Sequence, residues 1–267
     1  DIINMLFANE MYSSENQAFP SSYTIEGSDA YETVQFIRGN NSWDVDGNGN
    51  NNAPRSWYLA DIYHSAPALI GSPSASFDST NEFSESYYRG QNGYESFAEA
   101  QAGRNKIVLA GSNSGLLHAF DVETGIEQWA FMPPSFIAKM LDMKPVDTAS
   151  KTSIPIYGVD GSPSVKDIFY DGQWRTVVLC GLGYGGNSYF ALDITDPTSP
   201  QHLFTFENDI ENERVYYWDA AGNKSRYRYD ANSPGTFQDP AMSDGSGDAD
   251  DPDAGGEDRL DLGDLSL

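Results

Sequence analysis

Apolar residues along this chain fall in short runs, and Gly, Ser, Asn, Asp or Pro closes each run. The clearest stretch is 106–131, KIVLAGSNSGLLHAFDVETGIEQWAF. It predicts strands at 107–110, 116–120 and 126–131, with a small-residue turn at 111–115 and a second turn at 121–125. Such short runs with turn chemistry at each corner make a β-meander. One meander cannot bury both of its faces, so it must stack on similar units. A second set follows. A strand at 168–170 meets Asp171-Gly172, a strong type I′ hairpin signal, and a strand at 174–180 returns. A Gly-rich turn at 181–187, a strand at 188–194, a turn at 193–197 and a strand at 203–206 complete it.

The two sets align as an internal repeat. Pro67 in Ser65-Ala66-Pro67 matches Pro163 in Ser162-Pro163, at the start of each first strand. Val108-Leu109-Ala110-Gly111 matches Val178-Leu179-Cys180-Gly181, and His118-Ala119-Phe120-Asp121-Val122 matches Phe190-Ala191-Leu192-Asp193-Ile194. Trp129-Ala130-Phe131 matches Phe204-Thr205-Phe206. The spacing differs between units because residues 72–104, rich in Ser, Asn, Glu, Gly and Tyr, are inserted in the first as a loop with one short helix at 96–102. Repeated four-stranded units are the blades of a propeller. The fold class is therefore all-β, a partial β-propeller of four-stranded blades with long loop insertions.

The expected organisation is a linker or the end of a preceding domain over 1–33, then a propeller portion over 34–267. Blade units span about 59–134 and 155–206. Residues 207–259 hold an aromatic hairpin between blades and an acidic loop, and 260–267 start the next blade. Residues 34–39 suit a strand or one helical turn, and 59–62 suit a strand. Ser135 is placed to cap a helix over 136–143, with Phe136, Ile137, Met140 and Leu141 on one face.

Charge and composition narrow the partners. A net charge of −25, from 40 acidic against 15 basic residues, repels phosphates, so neither nucleic acid nor an anionic lipid surface is expected. No apolar run is long enough for a membrane span. The chain starts at Asp1 without a signal peptide, which reads as a mature protein or an excised piece. The single cysteine, Cys180, lies in an apolar strand and reads as a buried hydrophobe. His64, His118 and His202 lack ligand or triad spacing and read as structural or surface residues. The Gly-rich run 181–187 has no following helix and no Lys-Ser/Thr, so it is a tight turn rather than a phosphate loop. No catalytic residue and no organic cofactor is expected.

Two acidic stretches are candidates for a metal. Asp44, Asp46, Asn48 and Asn50 alternate with Val45, Gly47 and Gly49. That spacing lets side-chain oxygens converge on a hard cation, and calcium fits best, with Asp61 available as a further carboxylate. Arg55 stands where an EF-hand would have its last Glu, so the match is to a loop-type site only. The same residues equally suit a polar turn that holds no ion. Asp248, Asp250 and Asp253, in the Asp/Gly-rich segment 243–257, read either as a calcium-ordered loop or as a disordered acidic one.

The residues at 109–125, with Trp129 and Pro133-Pro134, resemble the propeller of the type IV pilus tip adhesin and assembly factor family, the PilY-like proteins. Asp160-Gly161-Ser162-Pro163, the turn at 181–186 and Ala191-Leu192-Asp193-Ile194-Thr195-Asp196-Pro197 extend the resemblance. So do the upstream residues 36–39 and 59–67, and it covers roughly 34–206. Asp-x-x-Thr-Gly-x-x-x-Trp alone is shared with pyrroloquinoline-quinone dehydrogenases, which leaves a quinone-dependent enzyme or a protein-binding scaffold as alternatives. The resemblance implies a non-enzymatic, secreted protein at the pilus tip, exported through the periplasm of a Gram-negative bacterium. It implies minor pilins or other pilus components as partners, and adhesion to a host or abiotic surface. The family's own calcium loop lies in a later part of its propeller and has no aligned counterpart here.

Overall fold

The computed structural model describes residues 29–45, 47–51, 53–55, 58–143, 156–229 and 237–238. The first blade is an antiparallel sheet of β1 (Ala68–Ile70), β2 (Ile107–Gly111), β3 (Leu117–Asp121) and β4 (Glu127–Phe131), in that order. The second sheet runs β5 (Ser164–Tyr170), β6 (Gln173–Gly181), β7 (Ser188–Asp193) and β8 (Gln201–Asp209). It then continues through β9 (Arg214–Trp218), β10 (Lys224–Tyr229) and β11 (Phe237–Gln238). Both Asp171 (φ 52°) and Gly172 (φ 72°) are left-handed at the β5–β6 corner, as a type I′ turn requires.

The repeat holds at the level of register. β3 and β4 slip between Ala119 and Phe120, and β7 and β8 slip between Ala191 and Leu192. These are equivalent positions, so each blade bends at the same point of its third strand. The two sheets pack through one core. Ile107, Leu109, Leu117 and Ala119 belong to it from the first sheet, and Val178, Cys180, Phe190 and Leu192 from the second. Phe131 lies 5.3 Å from Phe190, centroid to centroid. Trp129 Nε1 donates to the carbonyl of Pro197 at 2.8 Å, which ties the last strand of the first blade to a turn of the second.

Several elements differ from the sequence expectation. The inserted loop carries two helices, α2 (Glu85–Gln91) and α3 (Tyr94–Ala100), in place of the one helix at 96–102. Ser84 caps α2 by accepting from the Tyr87 amide at 3.1 Å. The insertion docks on the β5–β6 hairpin. Tyr94 is fully buried, its hydroxyl donates to Asp167 Oδ2 at 2.5 Å, and its ring meets Trp174 edge-on at 4.9 Å. Thr176 donates to the other Asp167 oxygen at 2.6 Å and accepts from Arg104 Nη1 at 2.7 Å. Trp174 Nε1 donates to the Asn92 carbonyl at 2.8 Å.

Residues 34–39 lie on or just after the helix α1 (Asp29–Ile37), which crosses the boundary drawn at 33/34 and buries Val34 and Phe36. No strand forms at 59–62, where the backbone carbonyl of Asp61 instead accepts from the Asn113 amide at 2.9 Å. Ser135 does not cap the following helix. That helix is a 3-10 helix, Pro134–Met143, whose first residue is Pro134, and Ser135 Oγ pairs with Ser188 Oγ at 2.6 Å. Phe136, Ile137 and Met140 are buried as expected. The aromatic hairpin is not set between blades. β9 pairs with β8, placing Tyr217 opposite Phe206, so the hairpin widens the second sheet. The acidic segment and 260–267 lie outside the described residues.

Candidate functional site

The two blade starts meet at one end of the sheets. Asp160, just before β5, accepts from the His64 amide at 3.2 Å through Oδ1 and from His64 Nδ1 at 2.6 Å through Oδ2. Its side chain is 1% exposed. Ser162 Oγ accepts from the Ala66 amide at 2.9 Å, and Ser65 Oγ accepts from the Gly111 amide at 2.9 Å. His64 with Asp160 and Ala66 with Ser162, the pairs that the repeat makes equivalent, thus hydrogen-bond across the blade interface, while Ser65 ties this segment to β2 of its own blade. The turns that follow β2 and β6 lie at the same end. Val159 donates to the Ser112 carbonyl at 2.9 Å, and Asp160 to the Leu182 carbonyl at 3.1 Å.

This base carries tyrosines. The His64 ring lies 4.3 Å from Tyr63, 6.1 Å from Tyr157 and 5.1 Å from Tyr184, and Tyr157 lies 5.4 Å from Tyr184. Tyr63 is 68% exposed, Tyr157 46% and Tyr184 74%. Tyr184 sits in a short 3-10 turn, Gly183–Gly185. A Cβ on Gly185 would lie 1.8 Å from the Gly158 carbonyl oxygen, so only glycine lets these two loops, and the tyrosines on them, sit side by side. The result is an aromatic surface held by a buried carboxylate. Sequence reading missed it, because His64 and Asp160 are 96 residues apart.

A second polar chain lies inside the first blade. Glu127 Oε1 accepts from His118 Nδ1 at 2.5 Å, and His118 Nε2 is hydrogen-bonded to Ser112 Oγ at 2.8 Å. Ser114 Oγ is hydrogen-bonded to Ser112 Oγ at 2.6 Å. The order Ser–His–Glu is that of a hydrolytic triad. Ser112, however, is 1% exposed, so its oxygen meets no substrate, and the chain braces the β2–β3 turn against β4. His202 is bonded to Thr205 Oγ1 at 2.8 Å, and burial lowers its pKa. Burial pushes the Cys180 thiol up to about 12, which keeps it protonated and inert.

Of the residues expected to bind metal, Asp44, Asn48 and Asn50 share one exposed loop. Asp44, at φ 47°, accepts from the Gly49 amide at 3.0 Å through Oδ1, and Asn48 Oδ1 accepts from the Asn50 amide at 2.7 Å. The ends of the loop are held by the Asn41 amide donating to the Ala53 carbonyl at 2.8 Å. Asp46, Asp248, Asp250 and Asp253 lie outside the described residues. Among the described residues, no group of three or more His, Cys, Asp or Glu side chains comes together to hold a metal. Among them also, no helix is long and apolar enough to cross a membrane.

The profile of the PilY1 β-propeller domain matches residues 59–228 of this chain. The chain is 32% identical over 185 residues to the type IV pilus biogenesis factor PilY1 of Pseudomonas aeruginosa strain UCBPP-PA14, covering 69% of this chain and 15% of that protein. It is 35% identical over 175 residues to the PilY1 homolog of Xylella fastidiosa strain Temecula1, covering 65% of this chain and 13% of that one. The chain therefore spans about a seventh of the length of these relatives. The crystal structure of the Pseudomonas aeruginosa PilY1 C-terminal domain aligns at 25% identity and a TM-score of 0.38, over 62% of this chain and 38% of that one.

Proposed function

The chain belongs to the PilY1 β-propeller family, and on that premise we propose that it acts in type IV pilus biogenesis as a non-enzymatic binding module. The observation that carries the reading is the family match over 59–228, which spans both blades and the hairpin that widens the second. Its partners are pilus components, with minor pilins foremost, and its place is the pilus tip, reached by export through the periplasm. There it also adheres to host or abiotic surfaces. The exposed tyrosines at the blade starts suit contact with partners, since aromatic side chains are enriched where proteins bind. The inaccessible Ser112 supports a binding role over a hydrolytic one. Calcium held by the loop of Asp44, Asp46, Asn48 and Asn50 belongs to the same proposal.

The test is an in-frame chromosomal deletion of residues 59–228, scored by twitching zones and by surface pili. Loss of both, restored by the intact gene in trans, is the expected outcome. Wild-type twitching and piliation with the segment removed would refute the proposal.

A further inference from the structure

The tyrosine surface at the blade starts lacks something that other rings in this chain have. Arg55 lies over Phe36 at 4.0 Å, Arg175 over Tyr170 at 4.7 Å and Lys224 over Tyr216 at 4.2 Å. Among the described residues, no cation lies over Tyr63, Tyr157 or Tyr184. Among the described residues, Lys139 beside Tyr184 is already engaged, donating to the Gly185 carbonyl at 2.9 Å. With 15 basic against 40 acidic residues, the chain has few cations to spare. A cation for these rings comes more readily from outside.

We propose that Tyr63, Tyr157 and Tyr184 dock an arginine-bearing segment of a partner protein, with guanidinium groups lying flat on the open ring faces. Three observations select this occupant. First, neighbouring rings of the cluster stand 4.3–6.1 Å apart and are inclined to one another by 30–66°, so each offers its own face rather than sharing one plane. A planar guanidinium needs only one open face, whereas a quaternary ammonium is best held between several. Second, the net charge of −25 attracts a basic partner and repels an acidic one. The exposed carboxylate-bearing residue Asp61 lies two positions before Tyr63 and adds local negative charge. Third, the platform is preorganised. Asp160 fixes the His64 ring at the centre, and the close approach of Gly185 to Gly158 fixes Tyr184 beside Tyr157, so little order is lost on binding.

The experiment uses the purified 267-residue chain and a fluorescein-labelled peptide of arginines spaced by Gly and Ser, followed by anisotropy. The chain should bind this peptide, and a peptide with every arginine replaced by citrulline should not bind. Tyr63→Ala, Tyr157→Ala and Tyr184→Ala should each weaken binding about two- to fivefold, the range for an exposed cation–π contact. Tyr184→Phe should bind as wild type does. Tyr184→Leu, which keeps apolar bulk without the ring, should weaken binding as Tyr184→Ala does. The variants are to melt with the wild type, as substitutions of exposed side chains should. Equal binding by the triple alanine variant would overturn the proposal in favour of diffuse attraction to an acidic surface. Equal binding of the citrulline peptide, or displacement by a neutral oligosaccharide, would also overturn it. The assay does not depend on piliation, so its failure leaves the role in pilus biogenesis standing.

Discussion

Removing one oxygen atom from Tyr94 tests how the insertion is locked onto the second blade. In Tyr94→Phe the ring remains in place against Trp174 at 4.9 Å and Phe97 at 5.8 Å, so the packing is retained. The hydrogen bond to Asp167 Oδ2 at 2.5 Å is lost, along with the weaker acceptance from the Ala75 amide at 3.3 Å. A hydrogen bond to a charged partner is worth about 1.5–3 kcal/mol. Asp167 keeps the Thr176 donor at 2.6 Å, so the carboxylate is not orphaned and the loss should fall near the lower end, about 2 kcal/mol. Tyr94→Ala also empties the ring site and should cost about 3–5 kcal/mol. Urea unfolding followed by tryptophan fluorescence measures both. The pH dependence adds a second readout. Burial first, and then the bond to Asp167, push the Tyr94 hydroxyl from 10 up to about 12. The folded state therefore keeps a proton that the unfolded state releases from pH 10 upward. This share of stability is complete below pH 10 and is lost as pH rises through about 12. Tyr94→Phe should lack that step. A Tyr94→Phe protein within about 0.5 kcal/mol of wild type, with the same alkaline fall, would refute the lock.

Three further outcomes are expected. Cys180, with its thiol pushed up to about 12 by burial, should stay unreactive toward a disulfide reagent at neutral pH until the protein is unfolded by denaturant; rapid labelling of the native chain would contradict its burial. Gly185→Ala places a Cβ 1.8 Å from the Gly158 carbonyl oxygen and should destabilise by about 1–3 kcal/mol while separating Tyr184 from Tyr157; a wild-type melting curve would show that these loops are not in contact. If the loop from Asp44 to Asn50 takes calcium, titration calorimetry should register binding that Asp44→Ala and Asp46→Ala each weaken, since affinity follows the ligand charge count; binding untouched by both substitutions would place the ion elsewhere.

The blades were legible because strands announce themselves locally. The runs at 107–110 and 116–120 became β2 and β3 with ends shifted by about a residue, within the usual uncertainty of element boundaries. Asp171-Gly172 formed the expected turn because both residues tolerate the left-handed region. The insertion was less legible. Tyr94 pairs with Asp167 across 73 residues and Trp174 with Asn92 across 82, so no window of the chain displays their reason for being buried. The shared bulge after Ala119 and Ala191 is a property of register, which strand patterns alone do not set. Ser112, His118 and Glu127 stand close in sequence, yet their meeting depends on how β3 pairs with β4. The sequence makes His64 a surface or structural residue, and the structure gives it both roles: its ring is part exposed and anchored on Asp160. The repeat itself held the clue to that pair, since setting Pro67 against Pro163 also sets His64 against Asp160.

The most direct measurement of a binding role in pilus biogenesis is the number of surface pili on cells whose chromosomal gene carries Tyr63→Ala, Tyr157→Ala and Tyr184→Ala together. These side chains are exposed, so the variant should accumulate to the wild-type level. Pili counted by electron microscopy should then fall well below wild type, because the proposed contact surface has lost its rings. Wild-type pilus numbers at equal protein level would contradict a role for this end of the blades in assembly.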